Sequence, residues 1–91
     1  LVCSEEYADQ YRLKKLARVK AFAVAGCDPA MMGIGPVAAV RKVLMRSNLT
    51  LQDIDIIELN EAFASQSIAC IQELGLDMAK VNIDGGAIAL G

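Results

Sequence analysis

Ile54-Asp55-Ile56-Ile57-Glu58-Leu59-Asn60-Glu61-Ala62-Phe63-Ala64 decides the reading of the chain, because an apolar run passes there without a linker into a helical pattern. Only Asp55 and Glu58 interrupt residues 54–59, the pattern of a strand covered on both faces. From Asn60 to about Leu74 the period lengthens, with Phe63, Ser67, Ile68, Ile71 and Leu74 on one stripe and Gly75 as the C-terminal stop. This junction delivers an amide side chain beside a helix N-terminus, which makes Asn60 the first candidate for chemistry.

Working upstream, Gly35 and Pro36 open a helix, since proline at the first helical position loses no hydrogen bond and already has helical φ. Val37, Ala38, Ala39, Val40 and Leu44 form its apolar face, and Ser47 and Asn48 end it. Thr50 with Asp53 has capping-box spacing on a single turn. Residues 16–26 read as a strand ended by Gly26 and the turn around Asp28 and Pro29. Residues 1–3 read as a strand end, after which Ser4 caps a helix with Glu5 and Glu6 in its first turn and Lys14 and Lys15 in its last. Downstream, residues 81–84 read as a short strand. The alternation predicts an α/β fold, layered, with crossover connections and ligand chemistry at the C-terminal ends of the strands.

Composition bounds the function. A chain of 91 residues holds one domain at most, and 55% hydrophobic residues with a mean hydropathy of +0.40 is high for a free-standing domain of that size. The excess predicts covering neighbours. Leu1 stands where an initiator Met would, and the expectation is a fragment. Charged residues interrupt every apolar run well before the roughly 18 residues a membrane span needs, so the chain is read as soluble and not membrane-bound. Ser4, Glu5 and Glu6 give no sign of a leader peptide. A net charge of −2 with dispersed Lys and Arg excludes a nucleic-acid footprint. Arg12, Lys14, Lys15, Arg18 and Lys20 are the densest basic group, either a contact for an anion or, the favoured reading, a solvated helix end. Cys3, Cys27 and Cys70 lack CxxC spacing and the chain has no His, so neither a disulfide framework, a metal site nor a Cys/His pair is expected. The cysteines are read as buried small hydrophobes in a reducing compartment.

Two segments remain for chemistry. Met32-Gly33-Ile34-Gly35-Pro36-Val37-Ala38 matches the degenerate dinucleotide pattern GxGxxA, but Cys27 to Met32 intervene between strand and loop. Asn60, rather than an acid, ends the next strand, so a nucleotide site is disfavoured. Asn60 itself has two readings from the residues alone: a donor to a developing oxyanion, directly or through a water, or a plain helix N-cap.

Three motifs then coincide with one family. Asn60-Glu61-Ala62-Phe63-Ala64 resembles the NEAFA motif of thiolases, and Asn82-Ile83-Asp84-Gly85-Gly86-Ala87-Ile88-Ala89-Leu90-Gly91 resembles their NxxGGAIALG stretch. The segment from Ala25 to Pro36 is similar to the family's AGxDPxxMGxGP, with matching intervals, so the resemblance covers essentially the whole chain. It implies a partial C-terminal domain over residues 1–91, a thiolase-like layered fold with a mixed sheet covered by helices. The implied reaction is thiolytic cleavage of 3-oxoacyl-CoA, or the reverse Claisen condensation, through an acyl-cysteine. Asn60 would fix the water of an oxyanion hole, Met32 and Phe63 would line the acyl pocket, and Gly85 and Gly86 would let the following loop approach closely.

The resemblance further implies acyl-CoA substrates, coenzyme A as co-substrate with no permanently bound cofactor, and a homodimer or homotetramer in the cytoplasm, mitochondrion or peroxisome. Thiolases take their nucleophilic Cys from the N-terminal half, and a His and a second Cys from beyond the GGAIALG run. None of the three has a counterpart in residues 1–91, nor has the CoA-binding loop. The expected His position follows Gly91 directly. A non-catalytic thiolase-like protein that binds lipid or CoA is the alternative.

Overall fold

In a computed structural model describing residues 1–91, Ser4 begins the first helix, its Oγ accepting from the Tyr7 N–H at 3.2 Å. This helix, α1 (Glu5–Gln10), carries Glu5 and Glu6 in its first turn, where carboxylates favour the helix dipole. Hydrogen bonds from its own backbone amide and from Ser4 hold the Glu6 carboxyl below its ordinary value. The helix ends before Lys14 and Lys15, contrary to expectation, because Arg12 at φ 51° turns the chain back. Lys15 then reaches Asp9 at 2.7 Å and Glu5 at 3.2 Å, and Arg18 also pairs with Glu5. Asp9 and then Glu5 raise the Lys15 pKa. Part of the basic group is thus spent on the acidic face of α1, in exposed pairs of small energetic weight.

Residues 16–26 are extended but form no ladder. Half-buried Ala21, Ala23 and Ala25 alternate with exposed Phe22, Val24 and Gly26, so the period of two is present without its partners. The segment lies on α2 (Gly35–Ser47), whose Lys42 and Arg46 donate to the carbonyls of Val24 and Phe22 at 3.0 and 3.1 Å. Between them a 3₁₀ turn, Pro29–Ile34, is capped by Asp28, which accepts from the Ala30 N–H at 2.9 Å. Pro36 sits in the first turn of α2 and Asn48 leaves it at φ 54°, both as the sequence predicts.

The capping box also forms: Asp53 accepts from the Thr50 N–H at 2.8 Å and from Thr50 Oγ1 at 2.7 Å, over the turn Leu51–Asp53. These bonds, the backbone one foremost, pull the Asp53 pKa below 3.8. A depressed folded pKa contributes stability that is present above the unfolded value and is lost as pH falls through the folded one. Asp53 is therefore expected to titrate below 3.8 by NMR. Asp53→Ala should speed amide exchange across residues 50–54 several-fold near neutral pH and leave it little changed below the folded pKa.

The strand expected over residues 54–59 is reduced to one parallel bridge, Ile57 to Val81. The Ile57 N–H donates to the Lys80 carbonyl and the Asn82 N–H to the Ile57 carbonyl, each at 2.8 Å. Ile54, Ile57 and Leu59 are half-buried while Ile56 is exposed, so this is not a buried central strand, and residues 81–84 likewise contribute a bridge rather than a strand. The physical reason is the lack of a second pairing partner: the backbone of 54–59 bonds to residues 80–82 along one edge and makes no ladder along the other. Asn82, at φ 49°, diverts the backbone after the bridge, and its side chain takes the next rung. Its Oδ1 accepts from the Leu59 N–H at 2.8 Å and its Nδ2 donates to the Leu59 carbonyl at 2.9 Å.

The third helix, α3 (Ala64–Leu74), begins four residues later than expected, after an extended Phe63, and stops at Gly75 with φ 64°. Its packed side is Ser67, Cys70, Ile71 and Leu74, whereas Phe63 and Ile68 face outward. Cys70 alone is a buried cysteine; Cys3 and Cys27 are exposed, against expectation. The last helix, α4 (Ala87–Leu90), is a single turn. Where α2, α3 and the 29–34 turn meet, Val37, Ser67 and Cys70 are buried, with Arg41 and Glu73 paired at 3.0 Å across the rim.

That is most of the core. The accessible surface is 7213 Å², whereas a folded monomer of this mass exposes about 5,100 Å². The radius of gyration is 15.6 Å, against about 12 Å for a compact domain of this length. The 42 backbone–backbone hydrogen bonds fall well below the roughly 60 expected for such a length. The predicted apolar excess is therefore displayed outward, on Phe22, Val24, Ile56, Phe63 and Ile88 among others.

Candidate functional site

The bridge at Ile57 and Val81 brings the loop after residue 59 beside the loop after residue 82, and everything the motifs single out lies on these two loops or on the 29–34 turn. Asn60 is exposed, and its carbonyl accepts from the Ala62 N–H at 3.0 Å. It does not cap α3, whose N-cap is Phe63 with no side-chain bond, so the N-cap reading of Asn60 is corrected. Its amide is left pointing to no partner in the chain, available to an external acceptor.

Glu61 turns the other way. Its carboxylate accepts from Asn82 Nδ2 at 3.2 Å through one oxygen and from the Ile88 N–H at 3.0 Å through the other. Gly86 packs directly against it: a Cβ there would stand 2.3 Å from the Glu61 carboxyl carbon, closer than any real contact. Gly85 makes the turn itself at φ 95°, a region L side chains avoid. The close approach is made by Gly86 alone, to the neighbour of Asn60; a Cβ on Gly85 would meet only Leu90 and Ala89 at 3.7–3.8 Å, ordinary contact.

Met32 and Phe63, far apart in sequence, line one shallow groove of about 270 Å³ together with Met31, Ile34, Ser65 and Gln66. Both are largely exposed along it, so the groove is apolar and open. Its floor is fixed by Gly33, whose carbonyl accepts from Cys70 Sγ at 3.4 Å and whose Cα side lies against Gln66. A larger hollow of about 670 Å³, between α2 and α3, holds none of the motif residues except Ile34 and Cys27 of the Ala25–Pro36 segment. Chemically the chain offers an unengaged amide donor at Asn60 and, from Phe63 onward, one wall of an apolar groove, with no His to activate a nucleophile. Sequence reasoning quoted Glu61 and Asn82 within motifs but gave them no task, since their contact spans 21 residues and leaves no local signal.

Residues 13–91 match the family model described as thiolase, C-terminal domain. The chain is 60% identical over 94 aligned positions to a 3-ketoacyl-CoA thiolase of Vibrio cholerae serotype O1, covering 100% of this chain and 24% of that protein. It superposes with a TM-score of 0.93 on human mitochondrial 3-ketoacyl-CoA thiolase in complex with CoA, at 47% identity over 96% of this chain and 22% of the human one. A further match is the dimeric peroxisomal thiolase of Saccharomyces cerevisiae, with a TM-score of 0.90 and 52% identity over 93% of this chain and 22% of the yeast one. The chain spans about a quarter of the length of the curated relatives it matches. Sequence motifs, backbone and relatives agree: this chain belongs to the thiolase family and lies within its C-terminal domain.

Proposed function

We propose that these residues serve an acyltransferase that cleaves 3-oxoacyl-CoA with coenzyme A, or runs the reverse Claisen condensation, as in fatty-acid β-oxidation. The observation that carries it is the exposed, unengaged Asn60 amide at the end of the bridged segment, three residues before Phe63, which lines one apolar groove with Met32. A cysteine thiolate from outside residues 1–91 attacks the 3-oxo carbonyl. The C2–C3 bond then breaks, acetyl-CoA leaves after protonation at C2, and the acyl-cysteine passes its acyl group to the CoA sulfur. Negative charge develops on the carbonyl oxygen at each attack, and Asn60 stabilises it through a donated hydrogen bond or an oriented water. Met32 and Phe63 hold the acyl chain, and Gly85 and Gly86 keep the neighbouring loop close.

Coenzyme A and acyl-CoA are the ligands of this reading, supported by the CoA complex of the human relative, and the dimeric yeast relative supports a homo-oligomer. In the longer protein, neighbouring strands complete residues 16–26, 54–59 and 81–84 into the mixed sheet. No helix here is long and apolar enough to cross a membrane. The test is thiolysis of acetoacetyl-CoA and longer 3-oxoacyl-CoA by the full-length protein, with the acyl-enzyme trapped by mass spectrometry. CoA binding without turnover would support a non-catalytic lipid- or CoA-binding protein instead. Phe63→Ala should raise KM for a medium-chain substrate about 10-fold with a smaller effect on acetoacetyl-CoA, since covering the exposed ring with an acyl chain contributes on the order of 1.5 kcal/mol.

A further inference from the structure

We propose that Glu61 is a positioning residue: its carboxylate clasps the loop of Gly85 to Ile88 onto the loop that carries Asn60, and thereby fixes the aim of the Asn60 amide. The inference rests on the thiolase reading above for its effect on turnover, but the clasp itself stands on geometry.

Both carboxylate oxygens are used, at the two ends of the segment from Asn82 to Ile88. One accepts from Asn82 Nδ2 at 3.2 Å and the other from the Ile88 N–H at 3.0 Å. Asn82 is itself locked, because its Oδ1 and Nδ2 pair with the Leu59 N–H and carbonyl at 2.8 and 2.9 Å. The backbone on either side of Asn60 is therefore tied, through Leu59 on one side and Glu61 on the other, to the segment from Asn82 to Ile88. Gly86 leaves room for this, since a Cβ there would lie 2.3 Å from the carboxyl carbon and 2.5 and 2.6 Å from its oxygens. A helix would normally hold such a loop, but α3 does not begin until Ala64, and the first helical bond is the one Phe63 accepts from the Ser67 N–H, so residues 60–62 have none of their own. The clasp supplies the rigidity that the helix was expected to give.

The chemistry demands a carboxylate. Both partners are donors, and an ionised carboxyl is acceptor-only through two oxygens, whereas a carboxamide of the same shape has one acceptor and one donor. Gln at 61 satisfies either Asn82 or Ile88 and sets its NH₂ against the other. A displacement of about 1 Å at a donor costs on the order of 100-fold in rate.

The experiment uses the full-length protein and three variants, Glu61→Gln, Gly86→Ala and their double, beside Asn60→Ala. Glu61→Gln and Gly86→Ala are each expected to lower kcat about 10- to 100-fold with KM for acetoacetyl-CoA within about twofold, and their effects should not multiply, since both break one contact. Amide exchange over residues 87–90 should accelerate in both. Turnover within twofold of the unaltered protein in Glu61→Gln, with Asn60→Ala impaired, overturns the clasp and leaves the thiolase reading intact. If Asn60→Ala keeps full turnover, the role of Asn60 fails, and exchange decides the clasp: protection over 87–90 unchanged in Glu61→Gln overturns it. A uniform fall in melting temperature with kcat and KM equally disturbed also overturns it, because that is the signature of general loosening.

Discussion

Asn60→Ala in the full-length thiolase is expected to lower kcat for acetoacetyl-CoA thiolysis roughly 10- to 1,000-fold, with KM little changed. The amide is exposed, and α3 is capped at Phe63, so removing the side chain takes nothing from the helix. Stability should accordingly stay near that of the unaltered protein. On the proposed reading, what is lost is a donor to an oxygen that carries charge only as the tetrahedral species forms, and an interaction made only there appears in kcat rather than KM. The loss corresponds to about 1.4–4 kcal/mol of transition-state stabilisation. Asn60→Asp should be worse than alanine at neutral pH, since it sets a negative charge where the oxyanion develops. Unchanged kcat in the alanine variant, measured beside its melting temperature, would remove Asn60 from the chemistry.

How much of this could be read from the residues varies with the range of the forces involved. Local chemistry was legible: the Ser4 cap, Pro36 opening α2, the Thr50–Asp53 box, Asn48 and Gly75 as helix stops all depend on neighbours within four positions. The strands were legible as patterns but not as a sheet. Residues 16–26 keep their alternation of half-buried Ala and exposed Phe22 and Val24, yet a ladder needs partners that the 91 residues do not contain. Nothing in the local pattern says whether a partner exists. The start of α3 was misplaced for a related reason. Asn60 has the chemistry of an N-cap, but Glu61 is drawn to Asn82 and Ile88, contacts 21 and 27 residues away, and that pull keeps 60–63 out of the helix.

The site divides in the same way. Met32 and Phe63 came from the family resemblance, and the fold places them on one groove although nothing in their spacing shows it. Gly85 and Gly86 were marked by the same resemblance, but not that Gly86 alone is crowded, nor that Glu61 is what crowds it. Glu61 and Asn82 carried no sequence signal of their own, because a carboxylate that accepts from two points of a distant segment looks on paper like any exposed acid. Their roles arise from tertiary geometry alone.

Residues 1–91 expressed by themselves are expected to show no thiolysis and to associate through their apolar faces, on two independent grounds. The first is chemical. An acyl-cysteine needs a thiolate with a base beside it, and the chain has no His; its two exposed thiols, Cys3 and Cys27, lie in no Cys/His arrangement. Asn60 alone could stabilise an oxyanion that nothing here generates. The second is physical. The accessible surface of 7213 Å² exceeds that of a compact monomer of this mass by about 2,000 Å². Phe22 and Val24, each 78% exposed, lie on a segment that makes no backbone–backbone hydrogen bonds, two of its carbonyls being met only by the Arg46 and Lys42 side chains. Apolar side chains on an open strand edge are the template on which chains pair with one another. Thiolysis of acetoacetyl-CoA should therefore stay at the uncatalysed rate, while light scattering rises with concentration and an apolar-surface dye binds at once. Mixing in the remainder of the thiolase should suppress dye binding, because the same faces would then be covered. A monomeric 91-residue chain that melts cooperatively and binds no dye would show that its exposed faces need no covering, and the physical ground would fall even if the chemical one held.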